Sequence, residues 1–266
     1  MSLEVLFIGV SGAWPKAGEE TACFLINRKI LVDLGWNCAL NMLPYDVSPT
    51  DVDHVFCTHC HQDHVLGLPG LLLANRKRAT VRSSAPPLQL YGPRDLGSVC
   101  IAAAAMLQAD RLPNTLPEHE VHYVAPGDSV EIGDIKVTVG RAFHPIDARS
   151  YHFEDSASGA RVVISGDTSY HAGLSAFAKG CDVLIHEAAA PGDASPEELQ
   201  TLLHSRPQDA ARVAMEAGTS SLALVHYDSS LSRETLDQAK KVFPNTRLAK
   251  KGQRLQVLGP GQAVWV

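Results

Sequence analysis

Four residues able to bind a metal ion crowd into one short stretch of the chain: His59, His61, Asp63 and His64, in the order H-x-H-x-D-H. Imidazole nitrogen and carboxylate oxygen are donors that zinc and similar ions accept. Left without an ion, four such groups on one loop are a costly accumulation of polar side chains. In an extended loop, alternation points His59 and His61 the same way, while Asp63 and His64 turn into the next element and face a second point nearby. Two metals could then sit side by side. A solvated histidine-rich surface loop is the plainer alternative, and three later residues weigh against it. His144 follows KVTVGRAF, Asp167 follows RVVISG and His226 follows SLALV, so each ends an expected strand, where sites gather in α/β folds. Asp167, in SGDT, is the candidate bridge. A carboxylate can give one oxygen to each of two ions about 3.5 Å apart, and such a pair can share a hydroxide and clamp both sides of a displacement.

The elements that must hold these residues read as strands and helices in alternation. LEVLFIG, TACFLIN, KILVDLG and VDHVFC are short β-branched or aromatic runs, and the histidine cluster follows the last of them. LGLPGLLLANRKR then reads as a helix closing on basic residues, which puts the cluster on a strand-to-helix loop. A strand at LQLYG and a helix from about Pro93 to Ala109 come next. EVHYV, DSVEIG, IKVTVGRAF, SYHFE and ARVVISGD are strands whose GD, APGD and SASG spacers suggest antiparallel hairpins. The last third alternates GLSAFAKG, DVLIHEA, PQDAARVAMEAG, SLALVHY, RETLDQAKKVF and RLQVL. The Pro/Gly/Glu-rich segment from Pro191 to Glu198 reads as a mobile insert, a candidate lid. Each half gives strands first and helix-strand units after, as expected of two face-to-face sheets with helices outside.

Composition bounds what such a site can serve. The chain has 266 residues, 45% of them hydrophobic and 20% charged, enough for a real core and unlike a disordered chain. A single domain over residues 1–266 is the expectation. A net charge of -6 argues against a large electrostatic grip on nucleic acid. There is no apolar run long enough to span a bilayer, and MSLEVLFIG lacks a basic signal region, so the expectation is a soluble, cytoplasmic protein without membrane partners. The six cysteines are scattered; Cys57 and Cys60 form C-x2-C with no second pair at zinc-ribbon spacing, and reduced thiols are the simplest reading.

Taken together, IGVSGAWP, ILVDLG, THCHQDHVLGL, the later His144, ISGDT, LIHEA and VHY make the sequence resemble the metallo-β-lactamase-fold hydrolases, and within them the tRNase Z group and its phosphodiesterase relatives. The resemblance covers nearly the whole chain. It implies an α/β fold, a four-layer αββα sandwich, with a dinuclear zinc site at one edge of the sheets; manganese or iron are the alternative metals. Carried over by residue, His59, His61 and His144 hold one metal, Asp63, His64 and His226 the other, and Asp167 bridges them. Asp63 also orients the attacking hydroxide. In the tRNase Z group a HEAT-like stretch and a following HST motif supply a glutamate and a histidine that assist the leaving group; the matching positions here are Glu187 and His204. A homodimer is also implied, with LGLPGLLL as a candidate contact surface, although burial in the chain's own core explains that run equally well.

Departures narrow the substrate. Only 22 residues separate His144 from Asp167, too few for the arm that grips the tRNA elbow. HSR stands for HST, HEA is followed by AA rather than TF, and VHY continues as DSSL without the expected arginine. These differences point away from structured pre-tRNA and toward small or short phosphodiesters. The expected activity is a phosphodiesterase in which a metal-bridging hydroxide attacks phosphorus while His204, held protonated by Glu187, assists the leaving group. The alternatives are hydrolysis of an aryl sulfate, lactone or thioester on the same metals, and a non-catalytic metal-binding module. Asp33 is read as a hydrogen-bonding support near the histidine loop. His54, His119, His122, His152 and His186 are read as hydrogen-bonded structural residues, His171 as a residue within reach of the cleft, and Trp14 and Trp36 as packing residues, with lining of the pocket as the alternative.

Overall fold

Short runs that are apolar on both faces dominate the strands, and burying both faces of a sheet requires a layer on each side. The computed structural model describes residues 2–82, 86–111 and 116–266. From the first half of the chain come β1 (Leu3–Gly9), β2 (Cys23–Ile26), β3 (Ile30–Val32), β4 (His54–Phe56), β5 (Leu88–Gly92) and β6 (His119–Tyr123). The second sheet is built from β7 (Ser129–Ile132), β8 (Ile135–Arg141), β9 (Arg149–Asp155), β10 (Arg161–Ile164), β11 (Val183–Glu187), β12 (Ser221–Val225) and β13 (Thr246–Leu248). The chain then returns to the first sheet with β14 (Arg254–Gly259) and β15 (Gln262–Trp265). The strand orders are β15-β14-β1-β2-β3-β4-β5-β6 and β13-β12-β11-β10-β9-β8-β7. Both sheets are mixed: β3 to β6 and β10 to β13 run parallel to their neighbours, and the other pairings are antiparallel.

Alternation along each strand divides its side chains between two cores. In β1, Leu3, Val5 and Phe7 enter the layer between the sheets, while Leu6 and Ile8 point to the outer layer. In β11, Val183 and Ile185 go inward and Leu184 outward. Helices Cys38–Met42, Leu68–Asn75 and Leu96–Met106 cover the first sheet. Helices Ala172–Phe177, Pro207–Ala217 and Ser232–Val242 cover the second. The result is the expected αββα sandwich. In helix Leu68–Asn75, Leu68, Leu71 and Leu72 are buried in the chain's own core, while Leu73, and Leu66 just before the helix, remain exposed. No helix among the described residues is long and apolar enough to cross a membrane.

Three sequence expectations change. The APGD turn does not join a hairpin: β6 pairs in parallel with β5, so Ala125–Asp128 carries the chain from one sheet to the other. Segment 191–198 is the start of a helix as much as a loop. Ser195 accepts from the Glu198 amide and Glu198 from the Ser195 amide, a reciprocal cap with Pro196 at the first turn of helix Pro196–Leu202. Pro93 precedes its helix, which begins at Leu96 after Asp95.

Two contacts across the sandwich fix the segment leading to the histidine loop. The Tyr151 hydroxyl donates to the Cys57 carbonyl at 2.7 Å, and the Arg149 amide donates to the Thr58 carbonyl at 2.8 Å. Around them the Phe56 ring stacks on Tyr91 at 4.5 Å and meets Tyr151 edge-on at 5.2 Å. Replacing Tyr151 with Phe keeps the ring and leaves the Cys57 carbonyl without that donor. The expected loss is about 1–2 kcal/mol in urea unfolding at unchanged slope; full retention of stability would show that this bond holds nothing.

Candidate metal centre

The metal-ligand candidates, Asp33 and Glu187 lie at or just beyond the carboxyl end of a strand, on one edge of the sandwich, and His204 reaches the same edge from the end of helix Pro196–Leu202. Asp33 follows β3, the histidine loop follows β4, Asp167 follows β10, Glu187 ends β11 and His226 follows β12. These strands run parallel to neighbours within their sheets, so their carboxyl ends gather, as the position of sites in open α/β sheets requires. His144 arrives three residues beyond β8.

The loop is set by its neighbours. Asp33 accepts from the Thr58 amide at 2.7 Å, the Thr58 hydroxyl at 2.8 Å and His64 Nδ1 at 2.8 Å. His59 Nδ1 lies 3.1 Å from the Thr58 hydroxyl, and His144 Nδ1 lies 3.1 Å from the Leu203 carbonyl, to which it can donate. With those nitrogens bound outward, Nε2 of His59, His64 and His144 is the ring nitrogen turned toward the centre, the one that would face a bound cation. Asp33 thus supports the loop as expected. Its φ of 56° and that of His226, 53°, are left-handed, a costly conformation that clusters at functional sites.

Seven donors converge in two groups. His59 Nε2 and His144 Nε2 lie 3.1 and 2.9 Å from His61 Nδ1. Burial pushes all three imidazoles below their usual range, toward the neutral form, and His61 Nδ1 carries at most one proton, so at most one of the two contacts can be a full hydrogen bond and the other sets lone pair against lone pair. Asp63 Oδ2 lies 3.0 Å from His226 Nε2 and 3.3 Å from His64 Nε2. Asp167 Oδ2 sits among both groups, 3.3 Å from His226 Nε2, 3.4 Å from His64 Nε2 and 3.8 Å from His59 Nε2. Burial works against charge on the two carboxylates, but the imidazoles facing them hold both below the ordinary carboxylate range. Burial likewise opposes charge on His64 and His226, and the facing carboxylates outweigh it. The donor atoms of His59, His61 and His144, and those of Asp63, His64, Asp167 and His226, lie within 4.8 Å of one another. Crowded imidazole nitrogens, a buried His64 Nε2 that faces two carboxylates without a well-aligned hydrogen bond to either, and two buried carboxylates without a Lys or Arg against them among the described residues all fit divalent cations.

Beside this centre His204 Nδ1 donates to Glu187 Oε1 at 2.9 Å. Glu187 is fixed by backbone amides: Oε1 accepts from Thr168 and Ser205 at 3.0 Å each, Oε2 from Ala189 at 2.8 Å. Burial lowers the affinity of His204 for its proton, but the Glu187 carboxylate more than reverses this and its pKa is pushed up to about 9. His204 and His226 border a cavity of about 420 Å³.

Other residues depart from expectation. Trp14 is 87% exposed and borders this same cavity, the alternative to the packing role expected first. His54 Nδ1 and His152 Nε2 have no hydrogen-bond partner, and burial pushes both rings toward the neutral form. His119, His122 and His186 do bond, to the Pro117 carbonyl, the Gln89 side chain and the Glu187 carbonyl. His171 caps helix Ala172–Phe177 by accepting the Leu174 amide. Cys57 is fully buried, and burial pushes the Cys60 thiol up to about 12. Sequence reasoning missed Glu20, a buried carboxylate that accepts from the amides of Thr21, Trp36 and Asn37 while Thr21 Oγ1 donates to the Asp63 carbonyl. One of two adjacent glutamates in the polar segment GEETA carries no signal of that role.

The fold and this edge define a class: residues 28–227 match the Beta-lactamase superfamily domain, and the chain belongs to that family, with a metallo-β-lactamase fold. Within the family it falls in a ribonuclease Z-like group. It is 29% identical to ribonuclease Z of Methanopyrus kandleri, with 96% of this chain and 98% of that one covered. The metallo-β-lactamase fold protein YhfI from Bacillus subtilis is similar in structure, with a TM-score of 0.81 at 24% identity, covering 96% of this chain and all of the other. Human tRNase Z, short form, gives a TM-score of 0.75 at 22% identity over 96% and 99% of the two chains.

Asp33→Asn keeps a residue that tolerates left-handed backbone and removes only the carboxylate. Divalent-cation affinity, read by competition with a chromophoric chelator, is expected to fall about 10- to 100-fold with circular dichroism unchanged. Undiminished affinity would contradict the orienting role given to Asp33.

Proposed function

We propose that this metal-dependent phosphoric ester hydrolase cleaves phosphodiesters with two divalent cations, zinc first and manganese or iron as alternatives. In this reading His59, His61 and His144 hold one ion, Asp63, His64 and His226 the other, and Asp167 reaches both. Bound there, the ions supply Lewis-acid activation of water and neutralise charge on the phosphate. Asp63 also orients the attacking water.

The observation that carries the reading is the His204–Glu187 pair at the rim of the donor cluster. A departing alkoxide needs a proton, which a histidine kept protonated by a buried carboxylate can deliver. Because backbone amides already engage both Glu187 oxygens, the carboxylate is fixed under the ring and cannot swing to another partner. Relatives named ribonuclease Z favour a nucleic-acid phosphodiester. The residues between His144 and Asp167 go mainly into the β9–β10 hairpin, which favours a small or short substrate over structured pre-tRNA.

Elemental analysis is expected to find two divalent ions per chain in the wild type and in His204→Ala. The variant should lose about 10²- to 10⁴-fold in kcat on a diester with an alkoxide leaving group. Its loss on bis(p-nitrophenyl) phosphate, whose nitrophenolate leaves unprotonated, should be far smaller. Glu187→Gln should act in the same direction, and the double variant should be no worse than His204→Ala. Equal losses on both diesters would contradict leaving-group protonation by His204, and turnover confined to aryl sulfates, lactones or thioesters would move the activity to another ester class. Two bound ions with no turnover at all would leave a metal-binding module.

A further inference from the structure

Trp14 sits in the loop between β1 and β2 with 87% of its surface open to solvent. Single exposed aromatics are ordinary on protein surfaces. This one differs in how it is held and in what it borders. Ser11 Oγ and the Lys16 amide both donate to Glu19 Oε2, at 3.0 and 2.9 Å, and Lys16 Nζ lies 3.4 Å from Asp228 Oδ1. Ser11 also forms bridges to Thr21 and Tyr227. The indole stands edge-to-face on Trp36, with ring centres 6.0 Å apart and planes at 87°. Trp36 Nε1 in turn donates at 3.1 Å to the side chain of Gln62, which lies between His61 and Asp63. The aromatic pair is therefore tied to the donor loop itself, and Trp14 shares a cavity with His204 and His226.

A flat apolar surface beside a phosphoryl-transfer centre suits a flat group attached to the phosphate. A plain aryl ester and a nucleobase both qualify on shape. The surroundings favour the base: a second cleft of about 700 Å³ shares Tyr227 and Ser229 with the first and is bordered by Arg233, Lys240, Arg247 and Lys250. Lys16 borders the first cavity with Trp14, and a cationic groove with a stacking surface is the combination that holds single-stranded nucleotides. We propose that Trp14, braced by Trp36, is a stacking surface for a nucleobase of a nucleoside phosphodiester held at the metal centre. This rests on the phosphodiesterase reading above.

The test uses metal-loaded full-length protein and calorimetric binding of adenosine 5′-monophosphate and ribose 5-phosphate. Wild-type protein is expected to prefer the base-bearing ligand by about tenfold, the size of one base stacked on an aromatic ring. Trp14→Ala should bring the ratio near one, and Trp14→Phe should keep most of it. Equal binding by the wild type, or a preference that survives Trp14→Ala, overturns the assignment. A second arm compares turnover of thymidine 5′-(p-nitrophenyl phosphate) and methyl p-nitrophenyl phosphate, which share a leaving group. A ratio of kcat/KM that favours the nucleoside and collapses in Trp14→Ala supports the assignment. Turnover of both with a ratio near one in wild type and variant sinks the stacking surface and leaves the phosphodiesterase reading intact. No turnover of either, with a Trp14-dependent preference for the monophosphate, sinks the phosphodiesterase reading alone.

Discussion

Three imidazoles whose facing nitrogens lie 2.9 and 3.1 Å apart share at most one proton between the two contacts, and beside them two carboxylates are buried, so the group is costly to assemble. Such a group stays together only if the surrounding chain gives it nowhere else to go. The two sheets supply that constraint. Parallel strands deliver Asp33, the histidine loop, Asp167, Glu187 and His226 to one edge, and buried aromatic contacts between the sheets prevent the edge from opening. Hydrogen bonds then remove the remaining freedom. Asp33 and Thr58 turn two rings inward, the Leu203 carbonyl turns a third, and the His226 amide is tied to the Val10 carbonyl.

Much of this was legible because it depends on local order. A strand, a cluster of donors and a helix in immediate succession need only strand and helix periodicity to be read. The same holds for His144, Asp167 and His226 as strand-end residues. The pairing of Glu187 with His204 was visible only through resemblance, because the two meet through tertiary packing. What escaped depends on contacts distant in sequence. The APGD segment has the composition of a hairpin turn, but the partner of β6 is β5, more than twenty residues earlier, so the turn has to cross between sheets. Segment 191–198 looked like an insert because Pro and Gly dominate it, while S-P-E-E within it is a helix start. The roles of Trp14 and Glu20 rest on surroundings that no local pattern encodes.

Left-handed backbone marks the places where local preference yields to the site. Asp33 and His226 are both near +55°, and Leu203, at 50°, ends the short helix after Pro196 with its carbonyl facing His144. Each of these residues would be more comfortable elsewhere on the φ/ψ map. The capped helix before Leu203 is thereby drawn into the centre's geometry: its end sets the carbonyl that orients one ring.

Gly166, at φ +61°, stands one residue before Asp167, where an added Cβ would lie 2.6 Å from the Arg149 carbonyl oxygen and 2.9 Å from the Thr58 Cβ. The missing methyl is thus what lets the two halves of the edge close to their working separation. Sequence drift can alter the solvent face of this protein freely, but at this position the only admissible letter is the one with no side chain, and an inactive descendant could keep every donor intact and still carry its defect there.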